Sequence, residues 1–389
     1  LKKMYFCSIN KASKLISRNK LNILHLSATY NWGGGENHIE NLCDELTKID
    51  SEINNYILCP RQSEFHAVLK KKKLSFYTAS LAIKFDLRYV SKIIRLTRKL
   101  KIDLIHIHDS TALTLSVMAT KLAKLPPFVL SKKTSFAIKN RKGTLYKYNH
   151  SNIAKILCVS ERTKSVTSES VKDKEKLVTI YHGTRVPKEE TKIIDLRKKL
   201  NIPKDKILVG TIANHIRAKN LQNYIDAVDY VINKLNRKDF HFVEIGSFTR
   251  RSQTYFESIK SKGLEKHISF LDFLPEASQV IPQFDISFLT SQSEGIPQFI
   301  YESFYYEVPV VSTNVGGIPE IIKHGENGYL CDPHNPACLG DKLIALHSDK
   351  ELRKKFTEVS FKKLHTNYTS AIMAQKTLEV YKEIIYGEV

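Results

Sequence analysis

The chain has 389 residues, 42% of them hydrophobic, enough for two domains of ordinary size that each bury a core. No run of 18 or more apolar residues exists, which excludes a spanning helix, and the basic first 20 residues lack a signal peptide's continuous apolar stretch, so a cytosolic protein is expected. Residues 1–200 hold 39 Lys and Arg against 17 Asp and Glu, net +22, whereas residues 201–389 hold 22 against 23, net −1.

A lysine-rich genome would decorate both halves alike. The asymmetry therefore implies an anionic partner for the first half: a membrane surface, an acidic glycolipid or a nucleic acid. Six cysteines (Cys7, Cys43, Cys59, Cys158, Cys331 and Cys338) form no C-x-x-C pair and no Cys/His cluster at zinc spacing. Reduced structural thiols and no metal site are expected.

Residues 1–20 show no clear period and read as an extension. A strand from Leu21 to Ser27 then leads through Gly33, Gly34 and Gly35 into a helix with Ile39, Leu42, Cys43 and Leu46 at helical spacing. Glycines where a strand feeds a helix N-terminus let backbone N–H groups approach a phosphate. The pattern lacks G-x-G-x-x-G and is not a dinucleotide fingerprint. A strand near 55–59, a helix over 64–73, a strand at 74–78 and a helix over 88–100 continue the alternation of an α/β domain. The stretch EFHAVLKKKK places Lys70 to Lys73 at a helix end, beside an apolar edge of Phe65, Val68 and Leu69. DLIHIHDS, at 103–110, is a buried strand whose carboxyl end carries His106 and His108 on one face, at the edge where doubly wound sheets bind ligands.

A helix over 111–124, a strand at 128–131, a helix over 141–149 and the strand ILCVS precede Ser160-Glu161, which opens another helix, and Tyr181-His182-Gly183 follows. The polar stretch 184–204 reads as a linker plus a short helix. The second domain starts with a strand at 206–212, a loop holding Asn214, Arg217 and Lys219, and a helix with Leu221, Ile225 and Val228 on one face. A strand at 240–245 ends at Gly246, a helix covers 254–262, and Phe270–Leu274 follows. After residue 330 the chain is largely helical, over 337–348, 350–364 and 370–385.

Before those helices lies SEGIPQFIYE, residues 293–302, with carboxylates at Glu294 and Glu302. Gly295 allows close backbone approach, and Pro297 suits a first helical turn, so the helix is expected to begin near Ile296. Glu294 then lies at a positive helix end, and eight helical residues span roughly 12 Å, comparable to a nucleotide sugar measured across its diphosphate. VPVVSTNVGGIPEIIKHGENGYL follows, with a strand at 308–312, a Gly316-Gly317 turn, a short helix from Pro319 and a turn at Asn327-Gly328.

Together, residues 293–330 resemble the donor-site signature of family 4 retaining glycosyltransferases, and the resemblance extends over about 21–365. It implies the GT-B fold: two α/β Rossmann-like domains facing a cleft, with a C-terminal helix crossing back to the first. The implied division is an extension at 1–20, an acceptor-binding domain at 21–185, a nucleotide-sugar-binding domain at 186–365 and the crossover helix at 366–389. By resemblance Glu302 grips the ribose hydroxyls and Glu294 faces the transferred sugar, with Gly295, Ile296 and Pro297 in the donor loop. The family's D-x-x-H-x-H assigns His108 to the transferred sugar, and its glycine loop assigns Gly33, Gly34 and Gly35 to the donor phosphates. Lys219 and Arg217 would neutralise the departing diphosphate; Lys219 is in register, while Asn214 occupies the usual Arg position and Arg217 substitutes from three residues later. Gly246 and Phe273 complete the donor set, the segment around Phe273 matching the family's nucleobase loop. His182 departs from the family's Asn-Gly.

The expected function is that of a retaining, metal-independent glycosyltransferase without a cofactor. It would move a sugar from a nucleotide-sugar donor to a glycan or lipid-linked acceptor, in bacterial surface polysaccharide assembly (LPS, capsule or exopolysaccharide). The absence of a D-x-D motif agrees with that expectation. No nucleic-acid partner is expected, and the basic N-terminal domain is expected to contact the anionic inner face of the membrane peripherally. Three alternatives stay open: a nucleotide-sugar epimerase or phosphorolytic enzyme on the same fold, a basic non-enzymatic nucleic-acid binder, and a degenerate transferase suggested by Asn214 and His182.

Overall fold

A computed structural model describes residues 20–185 and 194–387; the extension before Lys20 and residues 186–193 of the polar stretch lie outside the described residues. Contacts divide the chain into two units, one running to Gly183 and resuming at Ser370, the other spanning Thr184–Thr369.

The first unit begins with β1 (Leu21–Leu26), α1 (Gly34–Ile49), β2 (Ile53–Pro60), α2 (Glu64–Leu69), β3 (Ser75–Ala79), α3 (Leu87–Lys99) and β4 (Leu104–Ile107). It continues with α4 (Ser110–Thr120), β5 (Phe128–Lys132), α5 (Lys142–Tyr148), β6 (Ile153–Cys158), α6 (Glu161–Ser168) and β7 (Leu177–Thr179). Its seven strands pair in parallel in the order β3-β2-β1-β4-β5-β6-β7. Such strands are covered on both faces, which is why β4 (LIHI) is buried at every position. On one face Tyr89, Ile93 and Leu96 of α3 pack with Leu24, Ile105 and Phe128. Side-chain caps start the helices crisply: Asp86 accepts from the Arg88 amide and Asp109 from those of Thr111 and Ala112.

The second unit comprises α7 (Leu196–Leu200), β8 (Ile207–Ile212), α8 (Leu221–Asp229), β9 (Phe240–Ile245), α9 (Ser252–Ser261), β10 (Ile268–Leu271) and β11 (Ile286–Leu289). Next come α10 (Gln298–Tyr305), β12 (Val310–Thr313), α11 (Ile318–Ile321), β13 (Tyr329–Cys331), α12 (Pro336–Ser348) and α13 (Lys350–Asn367). Its parallel sheet has the order β10-β9-β8-β11-β12-β13. Leu221, Ile225 and Val228 share the buried face of α8, as their spacing requires. The last helix, α14 (Ser370–Tyr386), belongs to the first unit, where Met373, Ala374, Leu378 and Tyr381 pack with Leu42 and Leu46 of α1 and with Leu21 and Ile23 of β1. The expected pair of parallel α/β domains and the returning helix are both present.

Two expectations fail. The helix α2 stops at Leu69, so Lys70 to Lys73 lie in the turn beyond it, and no apolar edge accompanies them. Phe65 and Leu69 are fully buried with Ile39, Cys43 and Ile57, and Lys72 pairs with Glu40 at 2.7 Å. The cysteines are not all reduced thiols, because Cys331 and Cys338 form a disulfide. Cys331 ends β13 and Cys338 sits in the first turn of α12; the tight loop between them sets their Cα atoms 6.0 Å apart, within bridging range. Cys43, Cys59 and Cys158 are buried thiols, and desolvation pushes Cys59 up to about 12 and Cys158 to about 11. Cys7 lies outside the described residues. No helix among the described residues is long and apolar enough to cross a membrane.

Candidate active site

In each parallel sheet all strands end on one rim, and the predicted side chains collect there. In the second unit the chain leaves β8 and turns through a 3-10 segment at Arg217–Lys219, ending in a left-handed Asn220. This turn is tied to the segment after β11: the Gln292 amide donates to the Ala218 carbonyl at 2.8 Å, and its side chain to the Arg217 carbonyl at 2.8 Å. The result brings Lys219 Nζ to Glu294 Oε1 at 2.6 Å, and the Ser291 hydroxyl donates to the same oxygen at 2.6 Å. With side chains only 18% and 11% exposed, this pair is held far more firmly than a surface ion pair. The Arg217 side chain is exposed.

Asn214, at the position where the family carries Arg, is a structural tie: its Oδ1 accepts the Ser247 amide at 3.0 Å. Gly246 is required by close approach, since a Cβ there would lie 2.1 Å from the Ala213 carbonyl oxygen. Phe273 is 60% exposed beyond β10. Its amide and that of Phe248 both donate to Asp272 Oδ1, at 2.7 and 3.0 Å, which ties the loops after β9 and β10 together.

The glycine turn and the first glutamate form one device. Gly316 has φ +59, and a Cβ on it would stand 1.9 Å from the Glu294 carbonyl oxygen; beside it the Gly317 amide donates to the Gly295 carbonyl at 2.8 Å. Any side chain at Gly316 would be doubly excluded, by the left-handed backbone and by contact. The helix does not begin near Ile296: Pro297 is the extended N-cap residue (ψ 129) and α10 starts at Gln298. Glu294 therefore sits in the preceding loop, and the helical spacing of roughly 12 Å between the glutamates does not apply. Ile296 is buried and anchors that loop. Glu302, in α10, is half-buried; its carboxyl has no hydrogen-bond partner among the described residues, and desolvation raises it to about 7. Such a carboxyl suits a ligand that donates hydrogen bonds.

The rim of the first unit is built differently. Register between β1 and β4 sets His25 beside His106, and the His106 and His108 rings are 4.0 Å apart on their shared face. Asn55 donates through its amide nitrogen to the Cys43 carbonyl and the Thr47 hydroxyl, so its oxygen faces His25 Nε2 at 3.1 Å. His25 Nε2 must then carry the proton, which leaves Nδ1 to accept from His108 Nε2 at 3.1 Å. His108 Nδ1 is consequently a bare lone pair, with no partner among the described residues. His106 lies between the hydroxyls of Tyr381 and Ser131, at 2.5 and 2.8 Å. Burial lowers all three histidines, His25 to about 4. One nitrogen from each lies within 4.8 Å of the others, the donor set of a divalent-cation site, which separation along the chain concealed. The hydrogen bonds from Asn55 through His25 to His108 form a relay, and His106, bonded to Tyr381 and Ser131, packs against it.

His182 fills the family's Asn position by packing on His38, their Nδ1 atoms 2.8 Å apart; burial lowers His182 to about 3 and His38 well below the ordinary value. Lys133, just past β5, donates to the Gly35 carbonyl at 2.9 Å, and desolvation lowers it to about 8 against the pull of Glu36 and Asp109. Glu36 in turn accepts from the Thr29 hydroxyl at 2.6 Å. At Gly34, the first residue of α1, a Cβ would meet nothing within 4 Å, and at Gly33 and Gly35 only atoms at 3.9 and 3.7 Å. Neither packing nor backbone conformation demands glycine there, and the open space beside the helix start is the feature a ligand would use. His25, His38 and Lys133 were not singled out from the sequence; aligning β1 with β4 would have exposed His25.

Two family models divide the chain: the one described as Glycosyltransferase Family 4 matches residues 32–186, and the one described as Glycosyl transferases group 1 matches 192–363. The chain is 22% identical over 310 residues to N-acetyl-alpha-D-glucosaminyl L-malate synthase of Bacillus anthracis, covering 78% of this chain and 79% of that protein. It is 26% identical over 199 residues to the O-antigen biosynthesis glycosyltransferase WclY of Escherichia coli, covering 50% and 52%. Among solved structures, Anabaena HepE in complex with UDP and glucose superposes with a TM-score of 0.80 at 18% identity, over 93% of this chain and all of that one, a likeness of fold. The chain is thus a glycosyltransferase of family 4, with the two Rossmann-like domains of the GT-B fold.

Proposed function

We propose that this transferase is retaining and metal-independent, and that it moves a sugar from a nucleoside diphosphate donor to a hydroxyl of a lipid-linked surface glycan. The observation that carries the reading is the 2.6 Å contact of Lys219 with Glu294, which sets a cation and a carboxylate side by side on one rim. The cation serves the diphosphate, whose negative charge grows as the bond to the sugar breaks; Arg217 adds to it from the same turn. Glu294 orients the sugar, and Glu302 accepts from the ribose hydroxyls. The C1–O bond breaks with its electron pair left on the phosphate. The acceptor oxygen bonds C1 on the same face, and its proton passes to a phosphate oxygen. The first unit contributes His108 Nδ1 as an acceptor for a sugar hydroxyl and the glycine-loop amides for an anion.

The O-antigen assignment of WclY supports a surface-glycan acceptor, and the UDP bound to HepE makes UDP-sugars the first donors to try. The test incubates the protein with UDP- and GDP-sugars and lipid-linked glycans, following nucleoside diphosphate release and the anomeric configuration of the product. Acceptor-dependent release with retained configuration is expected. An inverted product, or release that no acceptor accelerates, overturns the reading.

A further inference from the structure

The net +22 of residues 1–200 needs a surface, and the lysine run at 70–73 does not supply it, because its apolar neighbours are buried. Another element does. Along α3 the residues Leu87, Ile94, Arg95 and Arg98 recur at helical spacing and, with Lys99 and with Leu122 beyond α4, line a groove of about 720 Å³. Opposite them Tyr89, Val90, Ile93 and Leu96 bury the inner face, so α3 presents both an anchored and an outward stripe. The loop from β3 into α3 continues that outward surface with Ile83 and Phe85. Four large apolar side chains stand out here: Ile83, Phe85, Leu87 and Leu122 are 66, 56, 64 and 66% exposed. Between residues 83 and 101 lie Lys84, Arg88, Lys92, Arg95, Arg98, Lys99 and Lys101 against the single acid Asp86, which is buried and hydrogen-bonded by Arg88 at 2.7 Å.

We propose that the loop 83–87 and the outer stripe of α3, with Leu122, form the surface that seats this enzyme on an anionic bilayer. Phe85, Leu87, Ile83 and Leu122 enter the boundary between headgroups and acyl chains, and the surrounding cations hold lipid phosphates. Exposed aliphatic side chains inside a basic field distinguish this surface from a nucleic-acid face, which uses cations and stacking aromatics without burying leucines. The loop leaves β3 on the rim that carries His108, so the 83–87 end of the seat lies at that rim, while α3 runs back from it toward Arg98, Lys99 and Leu122. The inference rests on the reading of the acceptor as lipid-linked.

Vesicle flotation tests it, comparing phosphatidylglycerol-containing with pure phosphatidylcholine vesicles at low and high salt. One variant combines Phe85→Ser, Leu87→Ser and Leu122→Ser; a second combines Arg95→Gln, Arg98→Gln and Lys99→Gln; a third changes Lys70 to Lys73 to Gln. All these side chains are exposed and, except for Lys72, form no ion pair among the described residues; thermal unfolding checks each fold. Wild type is expected to prefer anionic vesicles, with the preference lost at high salt. The cation variant should lose binding on the order of a hundredfold, the apolar variant at least about tenfold, and the lysine-run variant should keep most of it. Equal binding to both vesicle types, or wild-type binding by the cation variant, overturns the proposal. So does full binding by the apolar variant, which would identify a site for a soluble polyanion. Stabilisation by UDP and by GDP, measured in the same samples, separates the two readings: protein that floats but gains no stability from either leaves the seat and breaks the donor reading, and the converse breaks the seat alone.

Discussion

The two rims of this enzyme solve the problem of polar groups near a ligand in opposite ways. The second unit uses opposite charges, Lys219 against Glu294, with a lone carboxyl at Glu302. The first uses neutral imidazoles, with His25, His106 and His108 kept unprotonated by burial, His25 and His108 joined by a hydrogen bond and His106 held beside them by Tyr381 and Ser131. A charge pair suits a charged diphosphate, whose departure needs a compensating cation. An uncharged relay suits a sugar hydroxyl, which needs a directed lone pair and would gain little from net charge. The contrast teaches that within one chain the electrostatics of each rim follow the chemistry each is proposed to meet.

That contrast can be broken most severely at Lys219. Lys219→Ala should lower kcat by about 100- to 1000-fold, roughly 2.7–4 kcal/mol, while changing the donor KM much less; a loss confined to KM in steady-state assays would make Lys219 a binding residue only. Acid sharpens the comparison next. His25 and His182 titrate near 4 and 3 in the fold and near 6.5 when unfolded, so from pH 6.5 downward the unfolded chain takes up protons that the fold refuses. Stability of the first unit should fall by at least about 2 kcal/mol between pH 6.5 and 5.5, these two histidines contributing about 1 kcal/mol each. Glu302 has the opposite sign: near 7 in the fold and near 4.5 unfolded, it weakens the second unit as pH rises from 4.5 to 7. Hydrogen exchange at pH 5.5 and 7.5 should show β1 and β4 loosening in acid while α10 tightens, and a parallel response of both would dissolve the distinction.

A smaller effect is expected from Glu302→Ala, which removes an acceptor for the ribose hydroxyls and should weaken UDP binding by about 1.5–3 kcal/mol in calorimetry. With the wild type, nucleotide binding near pH 7 should release a proton, because hydroxyl donors favour the ionised carboxylate; Glu302→Gln should abolish that release. Unchanged affinity and unchanged proton release would remove Glu302 from the site. The smallest effect is none: EDTA should leave turnover intact, and loss restored by magnesium or manganese would turn attention to a bound cation, with the three-histidine cluster the first place to look.

The second unit's site was readable because its determinants are local. Lys219 follows β8 directly, and Glu294 and Gly316 belong to one stretch whose glycines are demanded by a positive φ and a backbone approach. Even there the helix start was misplaced, because Pro297 is as compatible with an extended N-cap as with a first turn. The first unit's relay was not readable. His25 meets His108 across 83 residues and His38 meets His182 across 144, and only strand register and loop return bring them together. His108 was found by its motif, without the partner that sets its tautomer. The lysine run misled for a related reason: composition does not say which way Phe65 and Leu69 turn.

The return of α14 has a consequence for the order in which the molecule is made. Tyr381 bonds His106 from 275 residues further along the chain, and Met373, Ala374 and Leu378 close a core whose members outside α14 all lie before residue 181. During synthesis the first unit thus emerges with an apolar groove over α1 and β1 that nothing can fill until the whole second unit has followed it off the ribosome. The second unit spans Thr184–Thr369 and can complete its own core first. The nascent first unit is consequently the species most in need of a chaperone, and ribosome-stalled chains ending before Ser370 should show β1 open to protease while the sheet of the second unit is already closed.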